Sequence, residues 1–115
     1  MREICAGFAA ASGAEVEIDY IQGHPVTANT PEEAALAAGV AREVAGQSGV
    51  DEQAQPVLAG EDFSHMLTAR PGAFIFIGNG DTAGLHHPAY DFDDEAIPAG
   101  VSYWVRLTET ALAAR

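Results

Sequence analysis

The sequence is poor in basic residues. Its 115 residues carry five lysine or arginine side chains against 17 aspartate or glutamate side chains, which gives a formal net charge of −12. Because nucleic-acid phosphates and anionic membrane surfaces repel such a chain, we expect neither as a partner. The charge does not by itself indicate calcium binding, since many proteins are acidic for solubility alone.

Cysteine and long apolar runs are scarce as well. Cys5 is the single cysteine, which excludes an internal disulfide and favours a reducing compartment. Cys5 shares an apolar helical face with Ile4 and Phe8, so a buried structural thiol is favoured over a nucleophile. No run approaches the roughly 20 apolar residues of a membrane-spanning helix, and the first residues lack the pattern of a secretory signal. We therefore expect a cytoplasmic globular protein.

Helical and strand-like segments alternate along the chain. Apolar spacing and breaker residues predict helices at residues 1–12, 31–45, 61–67 and 97–112, and strands at residues 14–22, 56–59 and 74–77. This order predicts an α/β fold. A helix followed by a strand with one polar face, with nothing before them, is typical of the end of a larger α+β unit. The chain is therefore expected to be part of a longer protein.

Two helix starts have recognisable signals. Thr30, Pro31 and Glu33 predict a hydroxyl cap, a proline at the first helical position and a capping box. Before the last helix, Asp93 or Asp94 is the predicted cap.

The stretch from residue 84 to residue 97, GLHHPAYDFDDEAI, is the most informative for function. It lies between a predicted buried strand and the last helix, where α/β proteins place functional loops. His86 or His87, flanked by carboxylates, is a candidate ligand for a divalent metal, and the alternative is a pair of surface histidines. A catalytic zinc needs about three protein ligands, and His24 and His65 are not at ligand-like spacing. Any metal would take most of its ligands from elsewhere.

Three further polar residues are candidates. Glu61 and Asp62 follow a glycine at a helix start, where they either complement the helix dipole or project into a cleft. Asn29 is either a turn residue or a side chain that binds substrate. The acidic residues of the 84–97 stretch lack the spacing and the central glycine of a calcium loop.

The ordered motifs of this chain resemble the carboxyl-terminal third of the metal-dependent amidohydrolases. This family includes hippurate hydrolases, N-acyl-amino-acid amidohydrolases and plant auxin-conjugate hydrolases, within the aminoacylase/carboxypeptidase superfamily. The motifs are Gly23-x-Pro25-x-Thr27-x-Asn29, Gly60-Glu61-Asp62-Phe63-Ser64, Pro71-Gly72-Ala73-Phe74, Ile77-Gly78 and Leu85-His86-x-Pro88-x-Tyr90-x-Phe92-Asp93. The chain departs from the family at His24, where an aromatic residue is usual, and at His87, where a small residue or asparagine is common.

The resemblance implies a fold, a domain division and site residues. Residues 24–115 would be the C-terminal part of a three-layer metallopeptidase-like α/β catalytic domain, and residues 1–23 the last helix and strand of an α+β lid domain that dimerises. His86 would be the last protein ligand of a binuclear zinc or manganese centre. Glu61 and Asp62 would lie near that centre and position substrate or support the metal ligands, and Asn29 is kept as a candidate for substrate binding. The general base would belong to a part of the family's proteins that this chain lacks, so no catalytic residue is assigned.

Three hypotheses follow. In the first, the chain is a C-terminal fragment of an amidohydrolase that cleaves small N-acyl amino acids, inactive by itself. In the second, it is a non-catalytic module derived from that fold, which oligomerises or binds a small molecule. In the third, His86 and His87 recruit a metal together at a subunit interface.

Overall fold

Four α-helices form most of the regular structure of residues 1–113, the part of the chain that the computed structural model describes. They are α1 (Arg2–Ser12), α2 (Pro31–Ala45), α3 (Phe63–Ala69) and α4 (Ala96–Ala113), with a 3₁₀ turn at Gln47–Gly49. The helical predictions are confirmed, with α3 displaced by two residues. No helix within these bounds combines the length and apolar composition needed to cross a membrane.

Helix α1 ends as its sequence predicts but has nothing to pack on. Gly13 adopts a left-handed conformation with φ 69°, and its N–H donates to the carbonyl of Ala9 at 2.9 Å. A glycine takes this conformation without the steric penalty of a side chain. Ile4 and Phe8, the apolar face of the helix, are largely exposed, and Cys5 is half-buried. Within the described residues α1 packs against no other helix.

The contact between α2 and α4 forms the small core. Ala37 and Val40 of α2 and Tyr103 of α4 are 1 to 4% exposed, and they are the buried apolar residues of the described chain. At the edge of this contact, Arg106 Nε donates to Glu43 Oε2 at 2.6 Å, with both side chains about half-exposed. The two helices therefore stabilise each other through a narrow apolar seam flanked by a solvent-exposed ion pair.

The predicted capping box at the start of α2 is wrong. Thr30 is the N-cap residue, but its hydroxyl makes no capping bond. Instead, Thr30 Oγ1 accepts the Gly72 N–H at 2.9 Å and lies 3.2 Å from the Gly72 carbonyl, while the Thr30 N–H donates to that carbonyl at 2.9 Å. The partner lies 42 residues away, so a long-range contact has replaced the local one. Pro31 does occupy the first helical position, as predicted.

The three predicted strands have no regular secondary structure in the described chain. Residues 14–22, 56–59 and 74–77 are irregular, and no strand is present between residues 1 and 113. A strand is defined by its neighbour, since its N–H and C=O groups need a pairing partner. For the third segment, that role is taken in part by Asn29, whose side chain bonds to the backbone of Phe74. The α/β fold class stays a prediction.

Beyond the small α2–α4 core, the described part of the chain is not compact. Its radius of gyration is 20.3 Å and its extents are 62 × 41 × 21 Å, whereas a compact domain of this length has a radius of gyration of about 13 Å. Large apolar side chains that stay mostly exposed are found along the whole described chain, among them Ile4, Phe8, Leu58, Phe76 and Trp104. Exposed apolar surface on this scale is typical of a surface that another polypeptide covers.

We therefore expect the isolated chain to self-associate. Burial of apolar side chains between copies is favourable by about 25 cal/mol per Å². Sedimentation velocity at tens of micromolar should show dimers or larger species. A Val101→Gln/Trp104→Gln double variant, altered at two exposed positions of α4, should shift the distribution towards monomer. A clean monomer of the unmodified chain at high concentration would contradict this expectation.

The buried phenol in the α2–α4 contact makes stability depend on pH. Burial raises the pKa of Tyr103 above its usual 10.0, because desolvation disfavours the phenolate. Its contribution to stability is therefore complete below about pH 10 and is lost as the pH rises through the pKa of the folded state. The chain has no lysine, so few other groups titrate there.

Tyr103→Phe should remove part of this alkaline loss. Urea midpoints measured between about pH 9 and pH 11 should fall less steeply for the variant than for the unmodified chain. Tyr20→Phe is the matched control, since Tyr20 is exposed and lies outside the contact. Identical slopes for Tyr103→Phe and the unmodified chain would show that the phenol does not couple to folding.

Candidate functional site

Residues 80–92, here called the His86 loop, lie between the irregular segment at 74–77 and α4. Asn79 joins the two ends of the loop: its Nδ2 donates to the carbonyl of Asp91 at 2.7 Å, and its Oδ1 accepts the Asp93 N–H at 2.9 Å. Thr82 Oγ1 accepts the Asp91 N–H at 3.1 Å and adds a third bond at the base. The loop is therefore closed by side chains rather than by a strand pair.

The end of the loop is fixed to the last helix. Asp93 Oδ1 accepts the Glu95 N–H at 2.9 Å, and the Asp93 carbonyl accepts the Ala96 N–H at 3.0 Å. Glu95 precedes the first residue of α4, so the Asp93 side chain bonds just before the helix, and a cap by Asp93 or Asp94 stays a prediction. Gly80 lies opposite, with φ 73°, and a Cβ there would be 3.2 Å from Asp93 Oδ2. A residue with a side chain would be strained at this position.

The structure distinguishes the two adjacent histidines. His87 Nδ1 accepts the Ala89 N–H at 3.0 Å, and the His87 N–H donates to the carbonyl of Gly84 at 3.1 Å, so this ring is engaged with its own loop. The His86 imidazole forms no hydrogen bond within the described residues, and it is exposed. His86 also has φ 66°, the one positive value among the non-glycine residues of the described chain. Its ring nitrogens are therefore available to a ligand, whereas one of those of His87 is not.

Glu61 has a structural role in the described chain. Its Oε1 accepts the Phe63 N–H at 3.0 Å, at the first residue of α3. The first amides of a helix have no partner within the helix, so a carboxylate there stabilises the start. This is one of the two alternatives that the sequence leaves open for Glu61. A role in binding substrate stays a prediction.

Asp62 lies close to His24, which in turn contacts His65. The spacing of these three residues along the chain does not predict that they meet. His24 Nδ1 is 3.4 Å from Asp62 Oδ1, and the rings of His24 and His65 meet edge to face with centroids 5.5 Å apart. A Cβ at Gly60 would lie 2.9 Å from His24 Cδ2, so glycine is what lets the histidine approach. The sequence marks His24 only as a departure from the family pattern and does not indicate this contact.

Asn29 is also engaged. Its Nδ2 donates to the carbonyl of Phe74 at 2.9 Å, and its Oδ1 accepts the Phe74 N–H at 2.8 Å. The donor and the acceptor of the carboxamide thus both bond to backbone 45 residues away. Neither of the two predicted roles of Asn29, a turn residue or a side chain that binds substrate, includes this contact. Binding of substrate by Asn29 remains a prediction.

The candidate residues do not converge on one centre in the described chain. No hydrogen bond or ion pair of residues 1–113 links the His86 loop to Glu61, Asp62 or Asn29, and no group of three or more histidine, cysteine, aspartate or glutamate residues there could hold a metal ion. The donor set is one imidazole, whereas a catalytic metal needs about three protein ligands. These residues alone do not make up a metal site.

The groove beside the α2–α4 contact is a separate feature. It is open, has a volume of about 440 Å³ and is lined by Glu43, Val44, Val101, Ser102, Val105, Arg106 and Glu109. The hydrogen bond and charge of Glu43, with a smaller effect of Glu109, raise the pKa of Arg106. The guanidinium is thus already paired on both sides, and no candidate site residue lines the groove.

Comparison with known proteins identifies the family. A family model described as Peptidase family M20/M25/M40 matches residues 3–110. The chain belongs to this family. It is 31% identical over 105 residues to a hippurate hydrolase of Campylobacter jejuni, covering 91% of the chain and 27% of that protein. It is 30% identical over 112 residues to an N-acetylcysteine deacetylase of Bacillus subtilis, covering 97% and 29%.

A third M20/M25/M40 relative is an N-acetyldiaminopimelate deacetylase of Pediococcus pentosaceus, 28% identical over 115 residues, covering 97% of the chain and 29% of the relative. The chain thus spans less than a third of the length of these three relatives. No solved structure matches it. The predicted resemblance to the amidohydrolases is confirmed.

Proposed function

We propose that this chain is the C-terminal part of a metal-dependent amidohydrolase that cleaves the amide bond of small N-acyl amino acids such as hippurate. The observation that carries the proposal is the exposed imidazole of His86. It lies on a loop whose two ends are joined by the hydrogen bonds of Asn79. Membership of the M20/M25/M40 family and the names of the relatives, a hippurate hydrolase and two N-acetyl-amino-acid deacetylases, supply the reaction class.

In this proposal His86 is one protein ligand of a binuclear zinc or manganese centre. The remaining ligands and the general base come from polypeptide outside these 115 residues, so the isolated chain has no activity. Glu61, Asp62 and Asn29 support the site from the same chain. A supporting role agrees with the hydrogen bonds of Glu61 to Phe63 and of Asn29 to Phe74. It also agrees with the position of Asp62, 3.4 Å from His24.

The proposed architecture divides the chain at residue 23. Residues 1–23 end a lid domain through which the enzyme forms a homo-oligomer, and residues 24–115 belong to the α/β catalytic domain, with residues 114 and 115 outside the described range. The lack of helix contacts for α1 and the exposed apolar surface support this division. A cytoplasmic location is proposed from the lone cysteine.

The second candidate is a non-catalytic module that oligomerises or binds a small molecule. The observation that favours it is that Glu61 and Asn29 form structural hydrogen bonds and that Asp62 lies beside His24. The described residues also hold no metal cluster. Such a module would fold cooperatively by itself and would not need His86.

A chimeric enzyme tests the first proposal. The part of the Campylobacter jejuni hippurate hydrolase that this chain matches, 27% of its length, is replaced by this chain. We expect the chimera to hydrolyse hippurate when zinc or manganese is supplied and to lose activity with a chelator. A soluble, folded chimera that retained metal through other residues and gave no hydrolysis would favour the second candidate.

A further inference from the structure

Asn79 mimics a neighbouring β-strand at the base of the His86 loop. Its carboxamide donates to the carbonyl of Asp91 and accepts the N–H of Asp93, the two groups on either side of Phe92. A paired strand would bond to the same two backbone groups. The side chain thus joins points 14 residues apart and removes much of the conformational freedom of the loop between them.

His86 needs such a constraint because its backbone is strained. A φ of 66° lies in the left-handed region, which residues other than glycine seldom adopt. A conformation of this kind persists where the surrounding structure holds it in place. His86 lies inside the first of two backbone turns. In the first turn the N–H of His87 donates to the carbonyl of Gly84, and in the second the N–H of Tyr90 donates to the carbonyl of His87.

We propose that Asn79 is a positioning residue for His86. By closing the loop at its base, the carboxamide keeps His86 in the left-handed conformation with its imidazole exposed, while the ring of His87 bonds to Ala89. That Asn79 positions a metal ligand rests on the proposed function of His86. That Asn79 closes the loop does not rest on it.

Asparagine is the side chain that fits this task. It offers one donor and one acceptor from a single planar group, and both are in use here. Aspartate would keep the acceptor for the Asp93 N–H but lose the donor and add a negative charge beside Asp91 and Asp93. Asn29 also uses its donor and its acceptor on backbone groups, both of them on the single residue Phe74, and supplies a control elsewhere in the chain.

Amide hydrogen exchange of the 115-residue chain tests the loop closure. In Asn79→Ala, exchange at Asp93 and His87 should accelerate about ten-fold or more, because about two hydrogen bonds of the closed state are lost. Exchange at Phe74 should not change. In Asn29→Ala the pattern should reverse, with faster exchange at Phe74 and none of the effect at Asp93. Unchanged exchange at Asp93 in Asn79→Ala would overturn the proposal.

A second measurement tests the backbone angle φ of His86 directly. A positive φ gives a strong cross-peak between the amide proton and the α-proton of the same residue in a nuclear Overhauser spectrum. This cross-peak should be strong in the unmodified chain and in Asn29→Ala, and should weaken in Asn79→Ala while the urea midpoint of the α2–α4 pair stays the same. A strong cross-peak in Asn79→Ala would overturn the positioning role, and a changed midpoint would show a general loss of structure instead.

A titration with zinc ion alone tests the role of His86 separately from the role of Asn79. Titration with zinc should perturb the ring signals of His86 before those of His87, since His87 Nδ1 is already bonded. A His87 ring that responded before His86 would contradict the assignment of His86 as the ligand, whatever the exchange data show. If the His86 ring of Asn79→Ala responds to zinc as in the unmodified chain and the amide exchange at Asp93 is unchanged, the role of Asn79 is overturned and that of His86 stands.

Discussion

In the chimera with hippurate hydrolase, His86→Ala should lower kcat/KM for hippurate on the order of 10²-fold or more. Loss of a residue that merely orients a metal ligand already costs 10- to 100-fold in affinity or activity, and removal of the ligand itself should cost at least as much. The expected loss corresponds to about 2.7 kcal/mol or more in transition-state stabilisation. Metal retained after gel filtration should fall in parallel.

His87→Ala is the matched control for this prediction. Its ring accepts the Ala89 N–H within the loop, so its replacement should change kcat/KM by no more than a few-fold. Equal losses of metal in both variants would instead favour the hypothesis that the two histidines bind one ion together. An unaffected His86→Ala chimera would remove the basis of the proposed function.

Val40→Asp should abolish the folded α2–α4 pair. Val40 is 1% exposed, and an unpaired carboxylate at such a position costs on the order of 3–5 kcal/mol. The seam around Ala37 and Tyr103 is narrow, and helices of this length are marginal in water without tertiary contacts. Circular dichroism should therefore show a large loss of helix, and urea titration should show no cooperative transition.

Val101→Asp makes the same chemical change at a position of α4 that is 57% exposed. Substitutions at such surface positions usually change stability by about 0.5 kcal/mol or less, so the variant should retain its helix content and its urea midpoint. Equal destabilisation by Val40→Asp and Val101→Asp would mean that the described α2–α4 contact is not the stabilising core in solution.

Local signals predicted the helices well, and long-range contacts account for the errors. The glycines at 13 and 46 do mark helix ends, and Pro31 does start α2. The capping box failed because the Thr30 hydroxyl bonds instead to Gly72. Nothing in the local pattern shows that the two residues meet.

The predicted strands also depend on long-range contacts that a local pattern does not show. Alternation in residues 14–22 indicates which side of a strand would be buried, but it cannot supply the neighbouring strand that makes it a strand. In the described chain those residues have no such neighbour. The surface left exposed by Ile4, Phe8 and Trp104 indicates what a longer polypeptide would have to cover.

For the candidate site, sequence reasoning found the loop but not the parts that hold it. The family motif indicates His86 as the ligand, but it does not show that the ring of His87 bonds to Ala89. Asn79 was overlooked because it lies in a Gly-Asn-Gly turn that offers no ligand pattern. The contact of His24 with Asp62 and His65 was also missed, since their spacing along the chain is unlike that of a binding motif.

The most direct test of the account is the metal content and activity of the isolated 115-residue chain. The protein is purified without chelator, its zinc and manganese are measured by elemental analysis, and hippurate hydrolysis is assayed with each metal added. Because the described residues supply one imidazole and no metal cluster, we expect far less than one tightly bound metal per chain and no turnover. Stoichiometric metal together with turnover would contradict the account, since the chain, alone or as an oligomer, would then hold a complete centre.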